Sequence, residues 1–232
     1  MKIKNFLLRQ FPGLYKKAAR LKTQLKLSRK TREELFTDYY QANTWGDHES
    51  RSGPGFRLDR TEHLRSALPQ LVKDFNCVSV LDIPCGDFNW MKLVEWDVDY
   101  TGADIVKDMI HQNQVLYGND RRRFLTLDVT RDPLPRVDLV ICRDCLVHFS
   151  YDDIFETFNN LRNSGSTYLL TTTLNKRENN KNIVTGEWRP LNLQKPPFNL
   201  PAPLVFIEDT FPNPNYFDKY MGLWKISDLP HK

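Results

Sequence analysis

No apolar run in this 232-residue sequence approaches the roughly 20 residues that a membrane-spanning helix requires. The basic N-terminus lacks the unbroken apolar core and the small-residue cleavage site of a signal peptide. Only four cysteines occur, and Cys142-x2-Cys145 has neither a second cysteine pair nor a histidine pair at zinc spacing. These absences predict a cytoplasmic globular protein with reduced, buried thiols and no structural zinc.

Acidic residues are absent from positions 1–32, which hold eleven of the 33 Lys and Arg residues. Residues 33–232 therefore carry 22 basic against 29 acidic side chains, a net charge of −7. Apolar residues from Leu7 to Leu25 follow helical spacing, with a break expected at Pro12-Gly13. A basic amphipathic segment favours an anionic surface, here the inner face of the cytoplasmic membrane. Alternatives are a helix packed on the body, a frayed end or a mitochondrial presequence, and the acidic body predicts no nucleic-acid partner.

The remainder of the chain divides into two parts. Glycine, proline and small polar residues are concentrated in residues 33–60, which predicts a lid-like loop, with a plain connection as the alternative. Residues 61–232 are predicted to form the main domain, opening with a helix over 61–76 that has Thr61 as its N-cap. Residues 174–203 are polar and rich in proline, which predicts a functional segment with little regular structure.

Strand and helix patterns alternate from residue 78 onward. The periodicity predicts helices over 107–118 and 151–163, separated by short apolar runs typical of strands covered on both faces. This alternation predicts an α/β fold with a mostly parallel sheet, helices on both faces and a closing antiparallel pair. The predicted strands are 78–83, 98–105, 123–129, 137–144, 166–173, 204–211 and 219–226.

Most glycines of a dinucleotide-binding turn are missing from "LDIPCGDFNW", residues 81–90. A G-x-G-x-x-G turn lets a pyrophosphate approach the backbone, whereas here only Gly86 is present and Asp82 would repel phosphate. Asp104 lies 22 residues after Asp82, at the tip of the next predicted strand, where an acid suits the hydroxyls of a ribose. A nucleoside with a charged amino-acid tail fits both features, so the pattern predicts S-adenosylmethionine as the cofactor.

Over residues 60–226 the chain resembles the class I S-adenosylmethionine-dependent methyltransferases. The resemblance is carried by "VLDIPCGDFNW", "YTGADIV", "FLTLDVTRDPLP" and "DLVICRDCLVHFS", while Pro84 and Phe88 depart from the acidic-x-Gly-x-Gly-x-Gly motif of the family. A narrower resemblance is to methyltransferases associated with polysaccharide and other glycan gene sets. It is carried by "W-G…ES-x-SG-x-G", "PFNLPAP" and "GLW". It implies a Rossmann-like, seven-stranded sheet whose last strand is antiparallel.

The resemblance also implies where the cofactor is held. The loop after the first strand would line the methionine part, and the acids that end the next two strands would meet the ribose and the adenine. The implied cofactor-binding residues are Asp82, Pro84, Cys85 and Gly86 in the first loop, Asp104 and Ile105 at the ribose, Asp128 and Val129 at the adenine, and Arg143 near the sulfonium.

Methyl transfer is an in-line displacement at the sulfonium carbon, so the enzyme mainly holds the acceptor close and on axis. A hydroxyl acceptor also needs a base. His148, four residues past Asp144, is the candidate base, with Asp144 as the group that orients it. The alternatives are that His148 caps or packs the helix beginning near Ser150, and that Asp144 joins a magnesium site, which the spacing does not require.

The acceptor pocket is expected to draw on the 45–55 loop and the 174–203 segment. The predicted function is O-methylation of a sugar, glycan or other small hydroxylated acceptor, with a lipid-linked acceptor at the membrane as a compatible case. Alternatives are a protein or amine acceptor, and a non-catalytic binding protein with a methyltransferase fold. Candidate acceptor-binding residues are Trp45, Glu49, Ser50, Trp188 and Arg189, each of which could instead anchor a loop.

Overall fold

The computed structural model describes residues 12–209 and 216–232. Its seven strands, in chain order, are β1 Ser79–Asp82, β2 Asp99–Asp104, β3 Arg122–Thr126, β4 Leu139–Cys142, β5 Tyr168–Leu174, β6 Val205–Glu208 and β7 Lys219–Lys225. They form one sheet in the order β3-β2-β1-β4-β5-β7-β6. Strands β1 to β5 are parallel, and β7 runs antiparallel to both β5 and β6. The predicted seven-stranded sheet with a closing antiparallel pair is confirmed.

Helices cover the sheet on both faces. They are α1 Pro12–Leu27, α2 Arg32–Gln41, α3 Leu58–Asp74, α4 Lys107–Tyr117 and α5 Tyr151–Asn163. The predicted helices over 107–118 and 151–163 are therefore confirmed as α4 and α5. None of these helices combines the length and the apolarity needed to cross a bilayer, as far as the described ranges extend.

Strand residues alternate between two apolar cores because successive side chains of a strand point to opposite faces. On β1, Val80 packs with α3 and α4, and the next residue, Leu81, packs with α5. Both side chains are completely buried. This arrangement explains why the strand sequences read as continuous apolar runs rather than as alternating ones.

Two details of the predicted N-terminal half differ from the structure. The first residues of the predicted 33–60 loop are helical and belong to α2. A reciprocal capping box between Thr31 and Glu34 caps the N-terminus of this helix. Thr61 is not an N-cap: α3 begins three residues earlier, and Thr61 Oγ1 donates to the Arg57 carbonyl 2.9 Å away. The described part of α1 begins at Pro12, the position where a break was expected, and the residues before it lie outside the described ranges.

Two predictions extend beyond the described residues. Positions 1–11 of the basic segment lie outside them, as do residues 210 and 211 of the predicted strand 204–211. The proline-rich segment 174–203 matches its prediction more closely. After β5 ends at Leu174, its residues form no helix or strand, and a single isolated bridge joins Thr185 to Glu187.

Candidate active site

A cavity of about 650 Å³ lies at the carboxyl ends of the parallel strands. Helix α2 and residues 44–56 form part of its wall opposite the sheet. Ligands of open parallel sheets bind at this edge, so the cavity is the candidate site. Of the predicted cofactor residues, those that line it are Pro84, Gly86, Asp104, Ile105, Asp128, Val129 and Arg143.

Asp82 and Cys85 are not among the lining residues. Asp82 is buried behind the cavity wall, where its Oδ2 accepts a hydrogen bond of 2.7 Å from the Tyr100 hydroxyl. Burial raises the pKa of Asp82 to about 7, against the hydrogen bond from Tyr100 and the charge of Arg143. The methionine-binding role implied for Asp82 and Cys85 is not supported by where the chain places them.

The loop after β1 is tied to residues 50–52. Asp87 accepts hydrogen bonds of 3.0 Å from Ser50 Oγ and 2.7 Å from the Arg51 amide, and the Asp87 amide donates to Ser52 Oγ. Gly86 has a φ of +58°, and a Cβ there would lie 2.2 Å from Ser52 Oγ. The one glycine of "LDIPCGD" is thus required by backbone conformation and by the approach of Ser52.

Phe88 stands where the family motif has a glycine, and the structure gives the reason. It has a φ of +58° and is 1 % exposed. Its ring lies 5.1–5.4 Å from the rings of Tyr100, Tyr117 and Phe124. The side chain fills an aromatic core beneath the loop, and its burial offsets the cost of the left-handed backbone.

Asp104 ends β2 and lines the cavity. Its Oδ2 accepts from the Gly86 amide at 3.2 Å and its Oδ1 from the Val106 amide at 3.1 Å. Burial raises the pKa of Asp104 to about 6, although these amides favour the ionised form. The carboxylate is therefore fixed by backbone groups, and its remaining lone pairs can accept from hydroxyl groups in the cavity.

Asp128 lies two residues beyond the end of β3, and four donors occupy its carboxylate. Oδ1 accepts from the amide and the hydroxyl of Thr130, at 3.0 and 2.7 Å. Oδ2 faces Arg32 Nε at 3.0 Å and Arg131 Nε at 3.2 Å. Since a carboxylate has about four acceptor positions, an adenine amine can bind Asp128 only by replacing one of these donors.

Four charged groups meet beyond the end of β4. Arg143 donates two hydrogen bonds to Asp209, from Nε at 3.0 Å and from Nη2 at 2.8 Å. Lys219 Nζ lies 2.7 Å from Asp144 Oδ2 and 2.9 Å from Asp209 Oδ2. Burial alone would raise the pKa of Asp144, but Lys219 and Arg143 lower it to about 2. Asp144 is therefore ionised and is paired with Lys219 and Arg143.

Sequence reasoning did not identify Asp209 and Lys219. No motif marks them, and they come together because β6 and β7 pair antiparallel, with the Asp209 amide donating to the Lys219 carbonyl. The Arg143 guanidinium packs 5.0 Å from the Phe56 ring and is 2 % exposed, yet its Nη1 has no hydrogen-bond partner. That nitrogen lies 3.6 Å from Asp144 Oδ2, so it belongs to the charge cluster as an ion-pair contact without a hydrogen bond.

His148 lines the cavity, and its Nδ1 lies 3.1 Å from the Glu187 carbonyl oxygen. A carbonyl only accepts, so Nδ1 carries the proton and Nε2 is left with a free lone pair. Burial lowers the pKa of His148, against this hydrogen bond and the charge of Asp144. The group that orients the ring is thus the Glu187 carbonyl rather than Asp144, and the N-cap of α5 is Ser150 rather than His148.

Two of the five predicted acceptor residues, Trp45 and Trp188, line the cavity. Glu49 instead accepts from the first amide of α3, Leu58, at 2.8 Å, and Ser50 is buried against Asp87. Arg189 is 4 % exposed and donates to the Leu146 carbonyl at 2.8 Å. Glu49, Ser50 and Arg189 therefore anchor loops, which was the alternative for each.

The sequence left open a magnesium site that includes Asp144. Across residues 12–209 and 216–232, no three or more His, Cys, Asp or Glu side chains are grouped so that they could hold a metal ion. The four cysteines are buried and unpaired with one another by disulfides. Asp144 is paired with Lys219 instead.

No protein-family profile and no curated protein sequence matches the chain. Three solved structures with a similar fold are the methyltransferase domain of bacterial CtHen1, the 1,6-didemethyltoxoflavin-N1-methyltransferase of Burkholderia thailandensis and the magnesium protoporphyrin IX methyltransferase of Synechocystis PCC 6803. Their TM-scores are 0.52, 0.53 and 0.50, at identities of 13 %, 15 % and 16 %. The matches cover 73 %, 83 % and 84 % of this chain and 100 %, 86 % and 96 % of theirs.

These matches show that the chain has the Rossmann-like fold of class I methyltransferases. The Burkholderia structure contains S-adenosylhomocysteine and the Synechocystis structure contains S-adenosylmethionine. Neither name, nor that of CtHen1, supports the narrower resemblance to glycan-associated methyltransferases. At identities this low the likeness concerns the fold, and the reaction of this chain has to be argued from its own residues.

Proposed function

We propose that the protein is an S-adenosylmethionine-dependent methyltransferase that acts on a hydroxyl group of a sugar, glycan or other small acceptor. The observation that carries the proposal is His148, whose Nδ1 is held by a carbonyl while its Nε2 is free, on the wall of a cavity at the strand ends. A neutral imidazole of this tautomer is a general base suited to a hydroxyl. An amine or protein acceptor is the alternative, and it has less need of such a base.

The residues present fit the cofactor. Asp104, which lines the cavity, can accept from two ribose hydroxyls through its remaining lone pairs. The cavity volume of about 650 Å³ falls in the usual range for small-molecule sites. When bound, S-adenosylmethionine would supply an electrophilic methyl group on a sulfonium.

The chemistry required of the protein is then limited. The cofactor would supply the methyl group and the sulfur that leaves with the electron pair of the broken carbon–sulfur bond, while residues of this chain bind the acceptor and take its proton. The hydroxyl proton passes to Nε2 of His148, and the fixed charge of Asp144 stabilises the imidazolium that results. The cavity walls hold the reacting atoms in line.

Aromatic side chains at the cavity support a ring-shaped acceptor. The Trp45 ring lies 6.1 Å from the His148 ring, and Trp188 lies 5.3 Å from Tyr216 in an edge-on arrangement. Trp188 is 43 % exposed, so a planar face is left for a ligand. Sugar rings stack their C–H faces on such surfaces, which agrees with the narrower resemblance found in the sequence.

Cofactor binding tests the proposal directly. Calorimetry should show S-adenosylmethionine binding to the wild-type protein, and Asp104→Asn should weaken it about tenfold or more, since charged hydrogen bonds contribute about 1.5–3 kcal/mol. Asp82→Asn is the matched control, because that acid also ends a strand but lies behind the wall, and its Kd should stay within about threefold. Absence of binding to the wild type would instead indicate a non-catalytic protein.

The reaction is tested with a labelled-methyl assay over a panel of saccharides and lysate fractions. His148→Ala should lower kcat by about 10²–10⁴-fold while the Kd for the cofactor is unchanged. Transfer to amines or proteins, with no hydroxyl product, would favour the alternative acceptor. Full activity of His148→Ala on a hydroxyl acceptor would rule out the base.

We also propose that α1 brings the enzyme to the cytoplasmic face of an anionic membrane. Leu21 and Leu25 are 51 % and 59 % exposed and lie on one face with Ala18, flanked by Lys22 and Lys26. This apolar stripe bordered by lysines suits a negatively charged lipid surface, and it would present the cavity to a lipid-linked acceptor.

Vesicle sedimentation tests the membrane proposal. Leu21→Ser/Leu25→Ser should reduce sedimentation of the full chain with anionic vesicles. The control is Val115→Ser/Leu116→Ser, which removes a similarly exposed apolar pair from α4. Equal sedimentation of both variants and of the wild type would contradict a membrane role for α1.

A further inference from the structure

Glu187 touches both the basic helix and the candidate base. Its carboxylate accepts from Arg20 Nε at 3.3 Å and from Gln24 Nε2 at 3.1 and 3.2 Å, both on α1. Its backbone carbonyl faces His148 Nδ1 at 3.1 Å. One residue of the proline-rich segment therefore joins two parts of the molecule that are more than 120 positions apart in the sequence.

The contacts around His148 form a short clamp. The Gly186 amide donates to the His148 carbonyl at 2.8 Å, so residues 186 and 187 hold both the backbone and the ring of His148. The Glu187 carboxylate folds back to accept from the Val184 amide at 3.1 Å. The Glu187 side chain is thus one of several holds on this turn, beside the Glu187 amide on the Val184 carbonyl and the Tyr39 hydroxyl on the Gly186 carbonyl, each at 3.0 Å.

Of the α1 residues whose side chains the structure describes, only Arg20 and Gln24 are hydrogen-bonded to the body. Among the described residues, every side-chain hydrogen bond that leaves α1 ends on Glu187. Most of the helix is exposed, whereas the Glu187 side chain is 16 % exposed. Burial raises the pKa of Glu187, but the bonds from Gln24, Val184 and Arg20 outweigh it and lower the pKa, so the carboxylate is ionised.

We propose that Glu187 is a positioning residue that transmits the docking of α1 to His148. With Arg20 and Gln24 in place, the 184–187 turn is fixed and its carbonyl keeps the proton of His148 on Nδ1. When α1 moves away, the turn loosens and the proton is free to occupy Nε2, where the imidazole can no longer accept from a hydroxyl. The inference rests on the proposed role of His148 as the base.

The experiment compares two double variants of α1 in the full chain. Arg20→Ala/Gln24→Ala removes both contacts to Glu187 and changes only exposed or half-buried side chains, so the fold is retained. Lys22→Ala/Lys26→Ala is the control, since it removes at least as much charge from the same helix without touching Glu187. Glu187→Gln keeps the shape of the side chain and should lie between the wild type and the first variant.

The first readout is the tautomer of His148, measured by nitrogen NMR of histidine-labelled protein at pH 8 and assigned with His148→Ala. We expect the Nδ1–H fraction to fall in Arg20→Ala/Gln24→Ala and to stay unchanged in the control. The second readout is kcat, which should fall about tenfold with KM unchanged. An unchanged tautomer in the first variant would overturn the inference.

The two readouts separate this inference from the function on which it rests. A shift in tautomer together with a lower kcat supports both. A shift in tautomer with unchanged methyl transfer supports the coupling through Glu187 and overturns the role of His148 as the base. Because the NMR measurement needs no turnover, it decides the coupling even if the acceptor is still unidentified.

Discussion

The Arg32 guanidinium and the Asp128 carboxylate meet at 3.0 Å across 96 positions of sequence. Arg32 also donates to Asp153 at 2.7 Å, which connects the first turn of α2 to the loop after β3 and to α5. This bridge fixes α2 against the cavity, where Phe36 and Tyr39 form part of the wall. What the sequence presents as the start of a loop is therefore part of the binding site.

Removing Arg32 should lower stability more than removing the other arginine on the same carboxylate. Arg32→Ala leaves two partly buried acids without their shared partner, and we expect a loss of about 1–3 kcal/mol. Arg131→Ala should cost less than about 1 kcal/mol, because Arg131 is 61 % exposed against 21 % for Arg32. Urea unfolding of both variants measures the difference, and equal losses would contradict the bridge.

Gly86→Ala should be more destabilising than its backbone angle alone explains. Gly46 has a φ of +67° with no heavy atom within 4 Å of a built Cβ, so Gly46→Ala should cost only about 1–2 kcal/mol of left-handed strain. At Gly86 the clash with Ser52 adds about 1–3 kcal/mol. Because Ser52→Gly also removes the bond from the Asp87 amide, the comparison is made within that background, where Gly86→Ala should lower the free energy of unfolding by that much less than in the wild type. An equal cost of Gly86→Ala in the two backgrounds would show that Ser52 is not the obstacle.

Stability should fall as the pH rises from about 4 to about 7 because of Asp82. Its pKa is raised from 3.8 to about 7 in the folded protein, so its contribution is fully present below about pH 4 and is lost as the pH rises to about 7. Asp82→Asn removes this dependence. The free energy of unfolding of Asp82→Asn, relative to that of the wild type, should therefore be higher at pH 8 than at pH 5 by more than about 1 kcal/mol. A constant difference at the two pH values would contradict the raised pKa.

The pH dependence of methyl transfer should follow His148. Burial lowers the pKa of His148 below 6.5, against the hydrogen bond to Glu187 and the charge of Asp144, while Arg189 and Lys219 lower it further. The base is protonated below that pKa, so kcat/KM should rise with pH to a midpoint below 6.5 and be level above pH 7. His148→Ala should lack this rise of kcat/KM with pH. An unaltered pH profile in the variant would assign the rise to another group.

Local patterns settled most of the fold. The apolar runs from residue 78 onward and the periodic segments between them predicted every strand of the sheet to within a few residues. Their alternation predicted parallel pairing, because such a chain can bury its apolar helix faces only against a sheet. The strand-end acid Asp104 was found in the same way, since its position follows directly from where β2 ends.

Only the tertiary structure decided which polar residues face the cavity. Asp82 ends a strand as Asp104 does, yet its side chain falls on the face toward Tyr100. Glu49, Ser50 and Arg189 occur in the predicted loops but satisfy amides and carbonyls far away in the sequence. A strand or loop pattern does not specify which long-range partner a polar side chain will meet.

The sequence alone determined a parallel sheet and the edge at which a ligand would bind, because both depend on periodicity and on the ends of strands. Three features depend on contacts between distant segments. Helix α2 is held on the cavity wall by residues up to 121 positions away, Asp144 pairs with Lys219 across 75 positions, and Glu187 orients His148 across 39 positions. These contacts form only when the chain is folded. Their physical origin is the need to satisfy each buried charge and backbone group with whichever partner the fold brings near.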